Sequence, residues 1–301
     1  MSPDQLGKRV ALASMFVSAA LAAAKIVVGL MAGSTAVVSD GIESAGDVLA
    51  SGLVLFGLII AFRPPDVEHP YGHGRVETLT ALGVGMLLIV SGAFICYGSV
   101  ERAYSTGRPP ALFAIWPLIG SIIVKSGTWS SKRYYGRKLR SDALTADAWN
   151  DAVDILSGLT ALVALGLAVS NPARFASADH IGGFVVGLIV IFLGIHVVRD
   201  TTMQLMDTMP DPNLLQQVRE TALSVPGALA VEKCYARKTG LKYHVDLHLE
   251  VDPAMTVHDS HQIATQVRSG IRNNLDWVAD VLVHVEPHTL ATIAGRTHGK
   301  S

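Results

Sequence analysis

Residues Ser39 to Gly52 read SDGIESAGDVLASG and place Asp40, Glu43 and Asp47 inside an apolar run long enough to cross a bilayer. An acidic side chain at the centre of a membrane helix costs roughly 2.5–3.5 kcal/mol on insertion scales, so such groups face a bundle interior or a water cavity and mark an ion path. Steps of +3 and +4 put all three on one helical stripe. Further along, Ala146 to Gly158 reads ADAWNDAVDILSG and repeats the same steps with Asp147, Asn150 and Asp154. If the two helices face each other, Glu43, Asp47, Asn150 and Asp154 offer oxygen donors in i, i+4 pairs, a set that suits one divalent cation. Lys25 and Lys125 lie in neighbouring apolar spans and can each neutralise a carboxylate, but two lysines do not account for two matching stripes. Asp40 and Asp147 have four open readings: lining the approach, pairing with Lys25, capping a bent helix, or binding the metal directly.

Composition sets the surroundings of these stripes. The chain has 301 residues, of which 50% are hydrophobic and only 16% charged, too apolar for an ordinary soluble enzyme of this size. Its formal net charge of −1 argues against nucleic-acid binding, which needs a basic face. Cys96 and Cys234 form neither a disulfide framework nor a CxxC metal knuckle. The opening apolar segment, Arg9 to Met31, lacks a small-residue cleavage site after a short core and reads as a retained helix. Six membrane spans are predicted at roughly 9–31, 35–62, 77–99, 111–131, 143–169 and 179–203, with the basic run Lys132 to Arg140 among the breaks.

Orientation follows from lysine and arginine, which stay on the cytoplasmic side. With the N-terminus inside, the inner positions collect Lys8, Arg9, Arg63, Arg75, Lys132, Arg133, Arg137, Lys138, Arg140 and Arg199, against Arg102, Arg108 and Arg174 outside. Both termini are therefore expected in the cytoplasm, in a multi-pass protein of the cell (inner) membrane, in contact with lipid.

After about Met209 the composition becomes that of a small soluble domain. Asn213 to Ser224 has helical spacing, Val231 to Arg237 reads as a strand, and Leu241 to Val251 alternates strictly. Thr256 with Asp259 resembles a capping box opening a helix to about Leu275, and Asp280 to Glu286 alternates again. The expected fold class is an α-helical membrane protein with six transmembrane helices and a C-terminal cytoplasmic α+β domain of order αββαβ. The expected division is 1–208 for the membrane domain, 209–291 for the soluble one and 292–301 for a flexible tail.

Two further clusters stand out. Asp66, His69 and His73, in DVEHPYGHGR, have a spacing that reaches one zinc-like ion, while His69-Pro70, Gly72 and Gly74 equally suit a plain polar turn. In the soluble domain, His244, Asp246 and His248 share the polar face of one strand, His258 and His261 the next helix, and His284 and Glu286 the last strand. Histidines on solvated strands are common, and this mixture of imidazole and carboxylate also suits Zn²⁺ or another first-row ion.

Together, GSTAVVSDGIESAGDVLASG, HPYGHGRVETLTAL, ALTADAWNDAVDIL, VEKCYARKTG, VDLHLEV and VLVHVEP resemble the cation diffusion facilitator family over almost the whole chain. The resemblance implies six transmembrane helices, a metallochaperone-like cytoplasmic domain, and a homodimer that exports a divalent metal in exchange for protons, with no prosthetic group. It assigns Glu43, Asp47, Asn150 and Asp154 to the transport site and Asp66, His69 and His73 to a loop site. It assigns His248, His261, His284 and Glu286 to a metal pair near the dimer interface, where Leu229 stands in place of a further histidine.

The transport set departs from the family's zinc-selective pattern, which carries histidine in one or both slots held here by Glu43 and Asn150. An all-oxygen set is harder than one with imidazole and shifts preference toward Mn²⁺ or Fe²⁺, although the general affinity order still favours Zn²⁺. Three carboxylates around a dication leave a formal charge of −1, which one proton neutralises. A non-transporting, membrane-anchored metal sensor or scaffold is the rival reading, and buried carboxylates on both helices speak against it. No GxSxG, HExxH or phosphate-cradling loop occurs in a context that supports an enzyme.

Overall fold

The computed structural model describes residues 3–31, 35–103, 115–170 and 178–288. The chain divides into two compact units, Met1–Thr202 and Met203–Ser301. The first unit is built from long helices: α1 (Pro3–Met31), α2 (Thr35–Ala61), α3 (Arg75–Ala103), α4 (Ile115–Leu139), α5 (Asp142–Ser170) and α6 (Ala178–Leu205), which continues into the second. Gln5–Val28, Ser44–Ala61, Arg75–Glu101 and Phe184–Leu205, in α1, α2, α3 and α6, are long and apolar enough to cross a membrane. Helices α4 and α5 carry buried charges, Lys125 and Lys132 on one and Asp147 and Asp151 on the other. This is the pattern of a bundle whose outer face meets lipid and whose interior holds polar groups. Phe56, Phe94 and Phe192 point outward, while Val54, Leu58, Val84 and Leu144 form an inner core.

One predicted break is corrected. The basic run from Lys132 does not interrupt the fourth span, because α4 continues to Leu139 and turns only at Arg140, whose φ is +55°. Lysine and arginine are good helix formers, and nothing between Lys132 and Leu139 stops the helix. Lys132 is consequently 1% exposed and paired inside the bundle, so it does not count among loop cations. The next helix is set by Ser141, whose Oγ accepts from the Leu144 N–H, and by Glu77 on α3, whose Oε1 accepts from Ser141 Oγ and the Ala143 N–H at 2.7 Å each. A buried carboxylate at a helix N-terminus satisfies orphan donors and complements the helix dipole.

Close crossings depend on glycine. A Cβ at Gly92 on α3 would lie 2.8 Å from the Gly187 carbonyl oxygen on α6, and one at Gly187 would lie 2.9 Å from the Gly92 carbonyl oxygen. Small residues of this kind let membrane helices pack backbone to backbone.

The second unit contains α7 (Pro212–Leu223), β1 (Ala230–Thr239), β2 (Lys242–Val251), α8 (Val257–Asn274) and β3 (Val278–Pro287). This is the expected αββαβ order. Strand β2 is central, antiparallel to β1 and parallel to β3. Val245, Leu247, Leu249 and Val251, the alternating residues of β2, are buried against Val218 and Ala222 of α7 and Ile263, Val267 and Ile271 of α8. Thr256 caps α8 as its spacing suggests, its Oγ1 accepting from the Asp259 N–H at 3.1 Å.

Candidate metal centres

In the membrane unit, α2 and α5 bring Asp47, Asn150 and Asp154 together. Asn150 Nδ2 donates to Asp47 Oδ1 at 2.9 Å, which leaves the Asn150 carbonyl oxygen as its potential ligand atom. Glu43 lies on α2, but its side chain and that of Asp40 are outside the described residues.

The centre also contains Lys125, one of the two lysines that the sequence offers as partners for the carboxylates. Lys125 Nζ on α4 lies 2.8 Å from Asp47 Oδ2, 2.7 Å from Asp154 Oδ2 and 3.2 Å from Asp151 Oδ1. Two turns along α4, Lys132 Nζ lies 3.0 Å from Asp147 Oδ2 and 2.9 Å from Asp151 Oδ2. The side chains of Lys125, Lys132, Asp147 and Asp151 are each no more than 3% exposed, whereas Asp47 and Asp154 are 13% and 22% exposed. Asp47 and Asp154 are therefore the accessible end of the network and Asp151 its buried end.

From a third helix, the Lys125 ammonium bridges one carboxylate of each stripe, Asp47 and Asp154. Asp147 pairs with Lys132 and accepts from Ser51 Oγ at 3.2 Å, while Lys25 donates to Ser44 Oγ at 2.9 Å. Sequence reasoning missed Asp151 and Lys132, although a signal was present. Lys125 and Lys132 are seven residues apart, as are Asp147 and Asp154, and consecutive helices joined by a tight turn run antiparallel and match two turns with two turns.

The loop before α3 gathers Asp66, His69 and His73, with one ligand atom from each lying within 4.8 Å of the others. Asp66 Oδ1 accepts from the His69 N–H at 2.6 Å and sits 3.1 Å from His69 Nδ1, and Asp66 Oδ2 lies 3.4 Å from His73 Nε2. The His69 backbone N–H, followed by the two imidazoles, holds the Asp66 carboxyl below its ordinary range and keeps it available as an anion. The plain-turn reading and the metal reading coexist here, because the hydrogen bond that shapes the turn also aims the carboxylate.

In the soluble unit, His248 on β2 faces its register partner His284 on β3. Glu286 Oε1 lies 2.6 Å from His248 Nδ1 and 3.6 Å from His284 Nε2, so these three side chains also offer ligand atoms within 4.8 Å of one another. Hydrogen bonds with Glu232 and His248 keep the Glu286 carboxyl below its usual range. Two imidazoles and a carboxylate are an ordinary donor set for Zn²⁺ and similar ions. His261, exposed on α8, is not part of this group, and Leu229, half exposed just before β1, has no ligand atom in its side chain.

A helical bundle with charged side chains converging in its interior, followed by a small α+β domain with a His and Glu cluster, defines a multi-pass membrane protein of the ion-transporter class. The model of the cation efflux transmembrane domain matches residues 11–206, and that of the cation efflux cytoplasmic domain matches residues 210–288. The chain belongs to the cation efflux family, the cation diffusion facilitators, and is a transporter of divalent metal ions. Metal tolerance protein 2 of Oryza sativa subsp. japonica is 31% identical over 88% of this chain and 74% of its own length. The manganese efflux system protein MneP of Bacillus subtilis is 29% identical, over 95% and 97% respectively. The magnetosome protein MamB of Paramagnetospirillum magneticum is 30% identical, over 87% and 88%. Among solved structures, a cadmium form of a MamM C-terminal domain is 24% identical with a TM-score of 0.26, covering 26% of this chain and 98% of its own.

Proposed function

We propose that this protein exports Mn²⁺ or Fe²⁺, in preference to Zn²⁺, from the cytoplasm in exchange for protons. The observation that carries the reading is the convergence of Asp47, Asn150 and Asp154 from two helices in the bundle interior. Their donors are all oxygen, and Glu43 on the same stripe adds another. Hard donors suit Mn²⁺ and Fe²⁺ better than a set containing imidazole does, and similarity to a manganese efflux protein supports the same direction. With no imidazole in the set, a proton taken up when metal leaves must sit on a carboxylate. Glu43 is the candidate carrier, since it fills a slot where zinc-selective relatives hold histidine and its longer side chain can swing off the metal.

The protein works as a homodimer in the inner membrane with both termini in the cytoplasm. Its boundaries are 1–208 for transport, 209–291 for metal-responsive dimerisation through His248, His284, Glu286 and His261, and 292–301 for a tail. Asp66, His69 and His73 form a separate loop site. Purified protein in sealed proteoliposomes, given Mn²⁺, Fe²⁺, Zn²⁺ and Ca²⁺ in turn with and without a pH gradient, tests the reading. Mn²⁺ and Fe²⁺ uptake should exceed Zn²⁺ uptake, and dissipating the gradient should slow it. Metal flux indifferent to the gradient would identify a passive channel, and no flux with intact metal binding would favour an anchored sensor.

A further inference from the structure

We infer that Lys125 is a tethered competitor of the transported metal: its ammonium fills the cation position between Asp47 and Asp154 when metal is absent and retreats to Asp151 when metal enters. The inference rests on the transport-site reading above and adds a residue outside its ligand set.

Three features support it. First, Lys125 Nζ sits 2.8 Å from Asp47 Oδ2 and 2.7 Å from Asp154 Oδ2, so a dication held by both carboxylates and the ammonium cannot occupy that position together. Second, the lysine has somewhere to go. Asp151 Oδ1 is already 3.2 Å from Nζ on the buried side and belongs to no proposed ligand set. Third, Asp151 does not depend on Lys125, because Lys132 holds its other oxygen at 2.9 Å. The ammonium stays charged throughout, and only its partners change. Such a device lowers metal affinity by making entry a displacement, and it speeds release because a replacement cation is already attached to the site. It also spares the emptied site from moving with bare carboxylates, which are costly in a low-dielectric bundle.

The experiment is Mn²⁺ titration calorimetry of the full-length dimer in detergent, on five variants beside the parent. Asp154→Ala should lose Mn²⁺ binding at the bundle. If it does not, the transport-site reading itself fails, whatever the lysine does. With that control in place, Lys125→Met should tighten Mn²⁺ at least tenfold, about 1.4 kcal/mol at 25 °C, while turnover in proteoliposomes falls. Lys125→Arg, which keeps the charge, should stay nearer the parent in affinity. Asp151→Asn should weaken Mn²⁺, since the lysine then has no retreat, and the double variant Lys125→Met/Asp151→Asn should abolish that weakening. The opposite signs and their cancellation are not expected of a purely structural ion pair. Unchanged or weaker Mn²⁺ binding in a folded Lys125→Met dimer, or an Asp151→Asn effect that persists without Lys125, would overturn the inference.

Discussion

Asp47 and Asp154 are single side chains on separate helices, yet Lys125 ties them to each other, and Asn150 ties Asp47 to α5 as well. Replacing either by alanine leaves Lys125 with two of its three carboxylates, so the bundle should remain folded while metal loses a charged ligand. The expected result for Asp47→Ala or Asp154→Ala is Mn²⁺ flux at the background of empty liposomes, with the dimer unchanged by size-exclusion chromatography. Asn150→His is a subtler change. It puts a softer imidazole where an amide oxygen stood, and the Zn²⁺ to Mn²⁺ transport ratio should rise severalfold. A ratio that does not move in an active variant would place selectivity outside this set. At this scale the sequence was partly legible. The i, i+4 pairing put Asp47 on one stripe and Asn150 and Asp154 on another, because a helical stripe is a local property of the chain, and the two stripes meet. It did not reveal which cation lies between them, because Lys125 comes from a third helix, and only packing decides which of several buried lysines reaches a given carboxylate.

Elements tell a similar story. Hydropathy located the apolar spans within a few residues, since the thickness of a bilayer imposes their length. It misplaced the end of α4, where charge was read as a loop although Lys132 is sheltered by two carboxylates of α5. In the soluble unit, strict alternation located β2 and its buried face, and the Thr256 cap located the start of α8. Helix crossings were not legible, because a glycine in an apolar run carries no label for its neighbour. That between α3 and α6 can be tested directly. Gly92→Ala forces a methyl to within 2.8 Å of the Gly187 carbonyl oxygen, whereas a Cβ at Gly98 on the same helix meets nothing within 4 Å. Overpacking typically costs about 1–3 kcal/mol, so Gly92→Ala should lower the thermal midpoint of the full-length protein in detergent. Gly98→Ala should leave it unchanged or raise it slightly, since alanine is the better helix residue.

For the molecule as a whole, the soluble unit has its own apolar core around Val245, Leu247, Leu249, Val267 and Ile271, so residues from about Met209 should fold alone. Calorimetry on that fragment should detect Zn²⁺ or Mn²⁺ binding that is lost in His248→Ala, with modest affinity because His261 does not join the cluster within one chain and Leu229 supplies no donor. No metal binding to a folded fragment would remove the regulatory role. Its acid stability has a defined contributor. Burial alone would raise the Asp280 carboxyl, but the Arg268 bond at 2.7 Å, the Val281 N–H and Arg272 outweigh it and hold it below its ordinary value. A carboxyl depressed by folding stabilises the native state above its unfolded pKa of about 4 and loses that contribution as pH falls through the folded value. Asp280→Asn should therefore destabilise the fragment near neutrality by no more than about 1 kcal/mol, the pair being partly exposed, and flatten the decline of its unfolding midpoint below about pH 4.

The central claim is that Mn²⁺ crosses through Asp47, Asn150 and Asp154 in exchange for protons, and its most direct test couples both ions in one vesicle. Proteoliposomes carrying a trapped pH dye, with the membrane potential clamped, are given an inward Mn²⁺ gradient, and proton and Mn²⁺ fluxes are recorded together. The account predicts Mn²⁺ entry matched by proton exit in the parent, both lost in Asp154→Ala, and Mn²⁺ movement without matched proton exit in Glu43→Gln. Proton exit that persists undiminished in a folded Asp154→Ala dimer would contradict it.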